Sequence, residues 1–219
     1  MSVDIRLKEF KDALPDDVKL VAVSKTHSTS TIMETYEMGH RAFGENRVQE
    51  MIEKAEQLPD DIDWHMIGHL QSNKVKYIAP YIGLIHSVDS MRLLRTIDRE
   101  GEKNDRVISV LLQVHIAKEQ SKFGLTEEKL FELIEEYNAN EFANVRVEGL
   151  MGMATFTEDK EQVRSEFKHL KELFDKVRIK LKNSDCFYEL SMGMTDDYLI
   201  AIEEGSTIVR IGSAIFGAR

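Results

Sequence analysis

Lys25 stands directly after the apolar run LVAVS of residues 20–24. A lysine amine at the mouth of a packed sheet is partly desolvated, which favours its neutral form, and a neutral amine can condense with a carbonyl compound to give an imine. A lysine that simply opens a surface loop would have the same local sequence, because most lysines are exposed. A second group of residues could hold an anion. In ELSMGMTDDY and STIVRIGSAIFG, the small residues Ser191, Gly193, Gly212 and Ser213 sit where a strand gives way to a loop. Glycine there lets backbone amides approach a phosphate, although it would equally serve just to turn the chain. The third feature is Arg210, inside the apolar run VRIG. A buried guanidinium is costly without a partner, so a ligand atom or a carboxylate should meet it. Side chains alternate along a strand, and the sequence leaves open which face of this one Arg210 occupies.

These residues need elements to position them. Eight short β-rich runs recur along the chain: 20–24, 41–44, 63–68, 84–88, 107–116, 146–154, 187–192 and 207–211. Several, such as VISVLLQV, are almost continuously apolar, as in strands covered on both faces of a parallel sheet. Between them lie helical patterns. The longest carries Val163, Phe167, Leu170, Phe174, Val177 and Leu181 at spacings of four and three. Another, around Leu130, Leu133, Ile134 and Tyr137, has Thr126 as N-cap, with Glu127 and Glu128 where the helix dipole favours acids. Strand and helix in alternation predict an α/β fold, a (β/α)8 TIM-like barrel in one domain over residues 1–219, with an open doubly wound sheet as the alternative. Only eight residues follow the last run, so an extra N-terminal helix over Val3–Ala13 is expected to cover that gap. In such a barrel, function gathers where strands end, and the loops after strands seven and eight often hold phosphate. The polar residues at those ends are Ser24-Lys25, Glu45-Asn46, Gly68-His69, Ser87, His115, Thr155, Ser191-Met192-Gly193 and Arg210. At this point Lys25 would equally suit a class I aldolase type of barrel, with the imine on a sugar and no cofactor.

Acidic residues outnumber basic ones, giving a net charge of −10, which disfavours nucleic acid and anionic lipid as partners. No apolar run approaches the length of a membrane span and the N-terminus has no signal-like core, so a cytoplasmic protein is expected. Cys186 is the single cysteine and suits a reducing compartment. His65, His69, His86 and His115 fall near strand ends, but their separations match no compact metal motif. They are expected to hydrogen-bond within the barrel, without a metal.

The motifs VAVSKTH, FGENRVQE, WHMIGHLQSNK, the KFG of EQSKFG, GLMGM, ELSMGMTDDY and STIVRIGSAIFG, in order from residue 21 to residue 217, together resemble the pyridoxal-phosphate homeostasis protein family. That family is akin to the barrel domain of bacterial alanine racemases. The resemblance implies a fold-type III barrel binding pyridoxal 5′-phosphate, with Lys25 forming the Schiff base (internal aldimine). It implies Ser191 to Met194, including Gly193, as the phosphate loop, Gly212 and Ser213 as a second phosphate contact, Arg210 facing the pyridine nitrogen, and Asn46 beside the ring. A permanently charged guanidinium cannot protonate that nitrogen, which leaves the cofactor a weaker electron sink. Racemases add a second domain, whose tyrosine supplies the other base, and this sequence ends shortly after its last strand. The role implied is a carrier or regulator in intracellular pyridoxal-phosphate homeostasis, influencing amino-acid and keto-acid metabolism without catalytic residues of its own. Its partners would be the cofactor and pyridoxal-phosphate-dependent apo-enzymes, and the chain is expected to be a monomer or weak dimer. The alternative is a pyridoxal-phosphate-dependent amino-acid enzyme such as a weak racemase.

Overall fold

The computed structural model describes residues 2–119 and 123–217. Of the KFG motif, Lys122 lies outside the described residues. The elements run α1 (Val3–Ala13), β1 (Lys19–Val23), α2 (Thr29–Glu37), β2 (Ala42–Glu45), α3 (Val48–Ala55), β3 (Asp63–Met66), α4 (Val75–Ile78), β4 (Leu84–Val88) and α5 (Met91–Lys103). They continue with β5 (Ile108–Gln113), α6 (Glu127–Ala139), β6 (Val145–Met151), α7 (Lys160–Lys180), β7 (Glu189–Ser191), α8 (Tyr198–Glu203), β8 (Ile208–Ile211) and α9 (Ser213–Phe216). The strands pair in chain order, all parallel, and β8 pairs back onto β1 to close the barrel. The open-sheet alternative is thereby excluded.

The local signals act as expected. Thr126 caps α6 by accepting from the Lys129 N–H, and Asp159 caps α7 by accepting from Glu161 and Gln162. The apolar stripe Val163, Phe167, Leu170, Phe174 and Val177 is buried against the barrel. Helix α1 spans the predicted residues and packs against α2 and α9, with Phe10 edge-on to Tyr198 of α8, so it closes the helical ring at the β8–β1 seam. The chain after β8 does form one helical turn, α9, which is shorter than a crossover helix. Several strands are shorter than their apolar runs: β7 keeps only Glu189–Ser191 of 187–192, and β5 keeps Ile108–Gln113 of 107–116. The residues trimmed away leave the regular ladder, although single backbone bonds still tie Tyr188 to Glu148, Met192 to Ile208 and Val114 to Met151.

Two apolar layers result. The larger lies between sheet and helices, and the smaller, Val21, Ala42, Leu84, Leu111, Met151 and Ile208, comes from strands alone and fills the lumen. Because Ile208 faces the lumen, so does Arg210 two residues further on, which resolves its direction.

Candidate functional site

Lys25 lies half-buried just beyond β1, in a turn closed by the His27 N–H donating to the Ser24 carbonyl at 3.0 Å. The next residue, Thr26, has φ 67, a region that costs a β-branched residue about 1–2 kcal/mol. The strain is countered from outside the barrel. The Thr26 N–H donates to the Glu50 carboxylate, and Lys54 donates to Glu50 at 2.7 Å, to Glu45 at 2.7 Å and to the Ser24 carbonyl at 2.8 Å. Ser24 also donates to Glu45 at 2.6 Å. Burial pushes the Glu45 carboxyl up despite Lys54 and Ser24, whereas for Glu50 the effect of burial is outweighed by Lys54 and the Thr26 N–H, which hold it low. His27 packs at a tilt against Phe216 with ring centroids 4.8 Å apart, joining the Lys25 turn to α9. The Lys25 turn is thus fixed on both sides.

Asn46 follows β2, whose Gly44 is paired with Val23 of β1, so Lys25 and Asn46 lie at the ends of adjacent strands. Gly68, after β3, packs directly on Asn46: a Cβ there would come 2.3 Å from the Asn46 carbonyl oxygen.

Inside the lumen, Arg210 is only 4% exposed and donates to Ser191 Oγ and, at 3.1 Å, to the Gly152 carbonyl. Both acceptors are neutral, and among the described residues Arg210 forms no ion pair. Burial lowers its pKa to about 10, with Asp197 acting in the opposite sense, so the guanidinium is still charged at neutral pH. Ser191 Oγ is also hydrogen-bonded to His86 Nδ1 at 2.9 Å, His86 Nε2 to His65 Nδ1 at 2.9 Å, and His65 Nε2 to Asp63 Oδ2 at 2.9 Å. The expected role of the strand histidines, internal hydrogen bonding, is seen for His65 and His86. His69 stacks on Phe123 at 4.4 Å, and His115 lies half-buried after β5. Among the described residues, no group of three or more His, Cys, Asp or Glu side chains could hold a metal ion.

The loops after β7 and β8 meet at the same mouth. Arg210 N–H donates to the Gly193 carbonyl at 3.0 Å, and Thr195 Oγ1 lies 3.4 Å from Ser213 Oγ. Gly193 has φ 93, and a Cβ on it would lie 2.6 Å from the Ala201 methyl, so only glycine fits. Asp197 braces the loop by accepting from the Met194 N–H at 2.6 Å, and burial raises its carboxyl despite that bond and Arg210. Met192 is buried in the main core, and Met194 is exposed at the mouth. Gly212 is half-buried and Ser213 exposed.

Of the residues singled out in the sequence, the structure therefore gathers Lys25, Asn46, Arg210, Gly193, Met194, Gly212 and Ser213 around one mouth. Ser191 sits deeper, with its hydroxyl committed to Arg210 and His86. Thr195 is the hydroxyl that reaches Ser213, and sequence reasoning passed over it; its place in SMGMT was the available signal. The Glu45–Glu50–Lys54 brace was also missed, although Glu50 and Lys54 have the spacing of a helical ion pair.

A closed parallel barrel with a lysine at the end of β1 and an arginine in β8 defines a class, and residues 2–219 match the family described as the alanine racemase N-terminal domain. Alanine racemase from Clostridium difficile 630 superposes with a TM-score of 0.76 at 13% identity, covering 100% of this chain and 57% of that one, a likeness of fold alone. Closer relatives are curated as pyridoxal phosphate homeostasis proteins. That of Aquifex aeolicus is 45% identical over 92% of this chain and 87% of its own length, and that of Schizosaccharomyces pombe is 38% identical over 98% and 90%. PipY of Synechococcus elongatus, solved with PLP bound, has a TM-score of 0.89 and 34% identity over 99% of this chain and 100% of that one. The chain belongs to the pyridoxal phosphate homeostasis protein family.

Proposed function

We propose that this chain binds pyridoxal 5′-phosphate through an imine on Lys25 and acts in intracellular pyridoxal-phosphate homeostasis, as a carrier or regulator without established turnover. The observation that carries the reading is Arg210. It is a buried cation on the strand beside the one that ends at Lys25. Among the described residues its guanidinium meets only Ser191 Oγ and the Gly152 carbonyl, which leaves N–H donors for a further acceptor such as a pyridine nitrogen. The phosphate fits the loops after β7 and β8, with Gly193, Met194, Gly212 and Ser213 as proposed from the sequence and Thr195 added. Ser191 then supports Arg210 from below, and Asn46 borders the ring.

When bound, the cofactor supplies an electrophilic aldehyde and a conjugated ring. Arg210 holds the ring without protonating it, because a guanidinium does not release its proton at neutral pH. Racemisation needs a base on each face of the bound amino acid, and Lys25 supplies one. The homeostasis reading is favoured over a weak racemase because relatives at 36–45% identity carry the homeostasis name, whereas the racemase above matches at 13%. The binding domain spans residues 1–219. Pyridoxal-phosphate-dependent apo-enzymes are the proposed recipients, from a cytoplasmic monomer or weak dimer. No helix of the described residues is long and apolar enough to cross a membrane.

The test is borohydride reduction of protein incubated with the cofactor, followed by peptide mass spectrometry, with α-deuterium exchange and optical inversion of alanine measured alongside. A reduced adduct on Lys25 without brisk inversion is expected. Absence of that adduct would overturn the binding reading, and inversion lost in Lys25→Ala would replace the carrier by an enzyme.

A further inference from the structure

The lumen contains more buried polar structure than holding a cofactor requires. Asp63, His65, His86, Ser191 and Arg210 form an unbroken hydrogen-bonded line across the barrel. Its far end, Asp63, has a side chain 41% exposed and lines a cavity of about 410 Å³ at the opposite mouth, with Lys11, Lys19, His40 and Arg41. Polar groups buried in an apolar lumen are expensive unless every one is satisfied, so the direction of each bond is constrained.

Both ends of the line are chemically fixed. Arg210 can only donate, so Ser191 Oγ accepts from it. Asp63 as a carboxylate can only accept, so His65 Nε2 carries a hydrogen. Although burial pushes the Asp63 carboxyl up, the hydrogen bond from His65, with Lys19, holds it low. With His65 neutral, its Nδ1 must accept, so His86 carries its hydrogen on Nε2 and its Nδ1 accepts from the Ser191 hydroxyl. All donors then point away from Arg210 and towards Asp63. Burial, reinforced by His65, Arg210 and Lys19, pushes His86 well below the usual histidine range, and His65 is the member of the pair bonded to the Asp63 carboxylate, so the added proton is placed beside that charge. His65 Nδ1–H must then donate to His86 Nε2, and His86 becomes the Nδ1–H tautomer donating to Ser191. Ser191 now accepts from both Arg210 and His86, and its own hydrogen is released from the line.

We propose that Asp63, His65 and His86 are positioning residues forming a reversible donor chain, in which protonation of the histidine pair frees the Ser191 hydroxyl to compete with Arg210 for the pyridine nitrogen of the bound cofactor. This rests on the proposed binding of pyridoxal 5′-phosphate over Arg210. The charged and titratable groups facing the pair are Asp63 on β3, Lys19 on β1, itself 3.5 Å from Glu189 of β7, His40 before β2, and Arg210 on β8. Asp63 favours protonation, while Lys19, His40 if charged, and Arg210 oppose it. Burial, with Lys11, lowers His40 to about 4, so it stays neutral near neutral pH.

The test uses ¹⁵N-histidine NMR of the cofactor-free full chain, with His65→Gln and His86→Gln for assignment. At neutral pH, His86 should read as the neutral Nε2–H tautomer. On acidification His65 should gain charge while His86 switches to Nδ1–H at the same midpoint, and in Asp63→Asn that midpoint should fall by about one pH unit or more. His86 found as Nδ1–H at neutral pH in the unaltered protein, or a midpoint unmoved in Asp63→Asn, would overturn the proposal. In protein incubated with pyridoxal 5′-phosphate, the visible band should change shape at the same midpoint, and a band independent of pH across it would also overturn the proposal. A missing borohydride-reducible adduct on Lys25 would instead sink the binding reading, while the histidine spectra still judge the chain.

Discussion

Replacing Lys54 with Met should expose how much the brace behind Lys25 contributes. The Lys54 side chain is 7% exposed and that of Glu45 0%, so removing the ammonium leaves a carboxylate in the interior whose second oxygen already lacks a partner. Deleting one member of a buried pair costs about 3–5 kcal/mol, against about 0–1 kcal/mol for an exposed pair. A loss of that size is a large part of an ordinary domain's stability. The deficit should also depend on pH, with a defined sign. Burial already raises the Glu45 carboxyl in the folded chain, and loss of Lys54 raises it further. A raised carboxyl stabilises the fold below its unfolded value, and that contribution disappears as pH climbs through the folded value. The Lys54→Met deficit should therefore be smallest in acid and largest above neutrality. Urea unfolding at about pH 5 and about pH 8 measures it, with an unchanged slope confirming that the same transition is compared. Adding Glu45→Gln removes the stranded charge, so the double variant should recover much of the loss. Because Glu50 would lose its own brace and loosen its hold on Thr26, affinity for pyridoxal 5′-phosphate should fall too. A deficit below about 1 kcal/mol, or one equal at both pH values, would refute the reasoning.

Lys25→Ala should keep its far-UV spectrum and lose the visible band of the cofactor-treated protein; a full, reducible band in that variant would exclude Lys25 as the imine lysine. Thr195→Val and Ser213→Ala should each weaken pyridoxal 5′-phosphate binding by about tenfold or more and leave binding of dephosphorylated pyridoxal nearly unchanged, since only a phosphate uses those donors. Equal losses for both aldehydes in a fluorescence titration would count against a phosphate site there. Gly193→Ala should cost about 2 kcal/mol or more in thermal or urea unfolding, because it combines a positive φ with overlap on Ala201, and a neutral effect would show that the loop can move aside.

The sequence alone carried the architecture, because the signals for it are local. Apolar runs such as LVAVS and VISVLLQV, the helical stripe from Val163 to Val177 and the cap at Thr126 depend on neighbours a few residues away. Their alternation predicts a parallel sheet, and the pairing of β8 with β1 decided that it closes. Arg210 was legible as a charge inside an apolar run, and Lys25 and the glycine-rich ends of β7 and β8 by their place where such runs end. Side-chain direction and partnership could be decided only in three dimensions. The lumen-facing side of Arg210 follows from the register of β8 against β1. The commitment of Ser191 to Arg210 and His86, which leaves Thr195 beside Ser213, depends on strands more than a hundred residues apart. The line from Asp63 to Arg210 and the brace of Glu45, Glu50 and Lys54 are also invisible to periodicity, because a buried polar residue is read from a sequence as an exception, and only barrel closure brings such exceptions within hydrogen-bonding distance of one another.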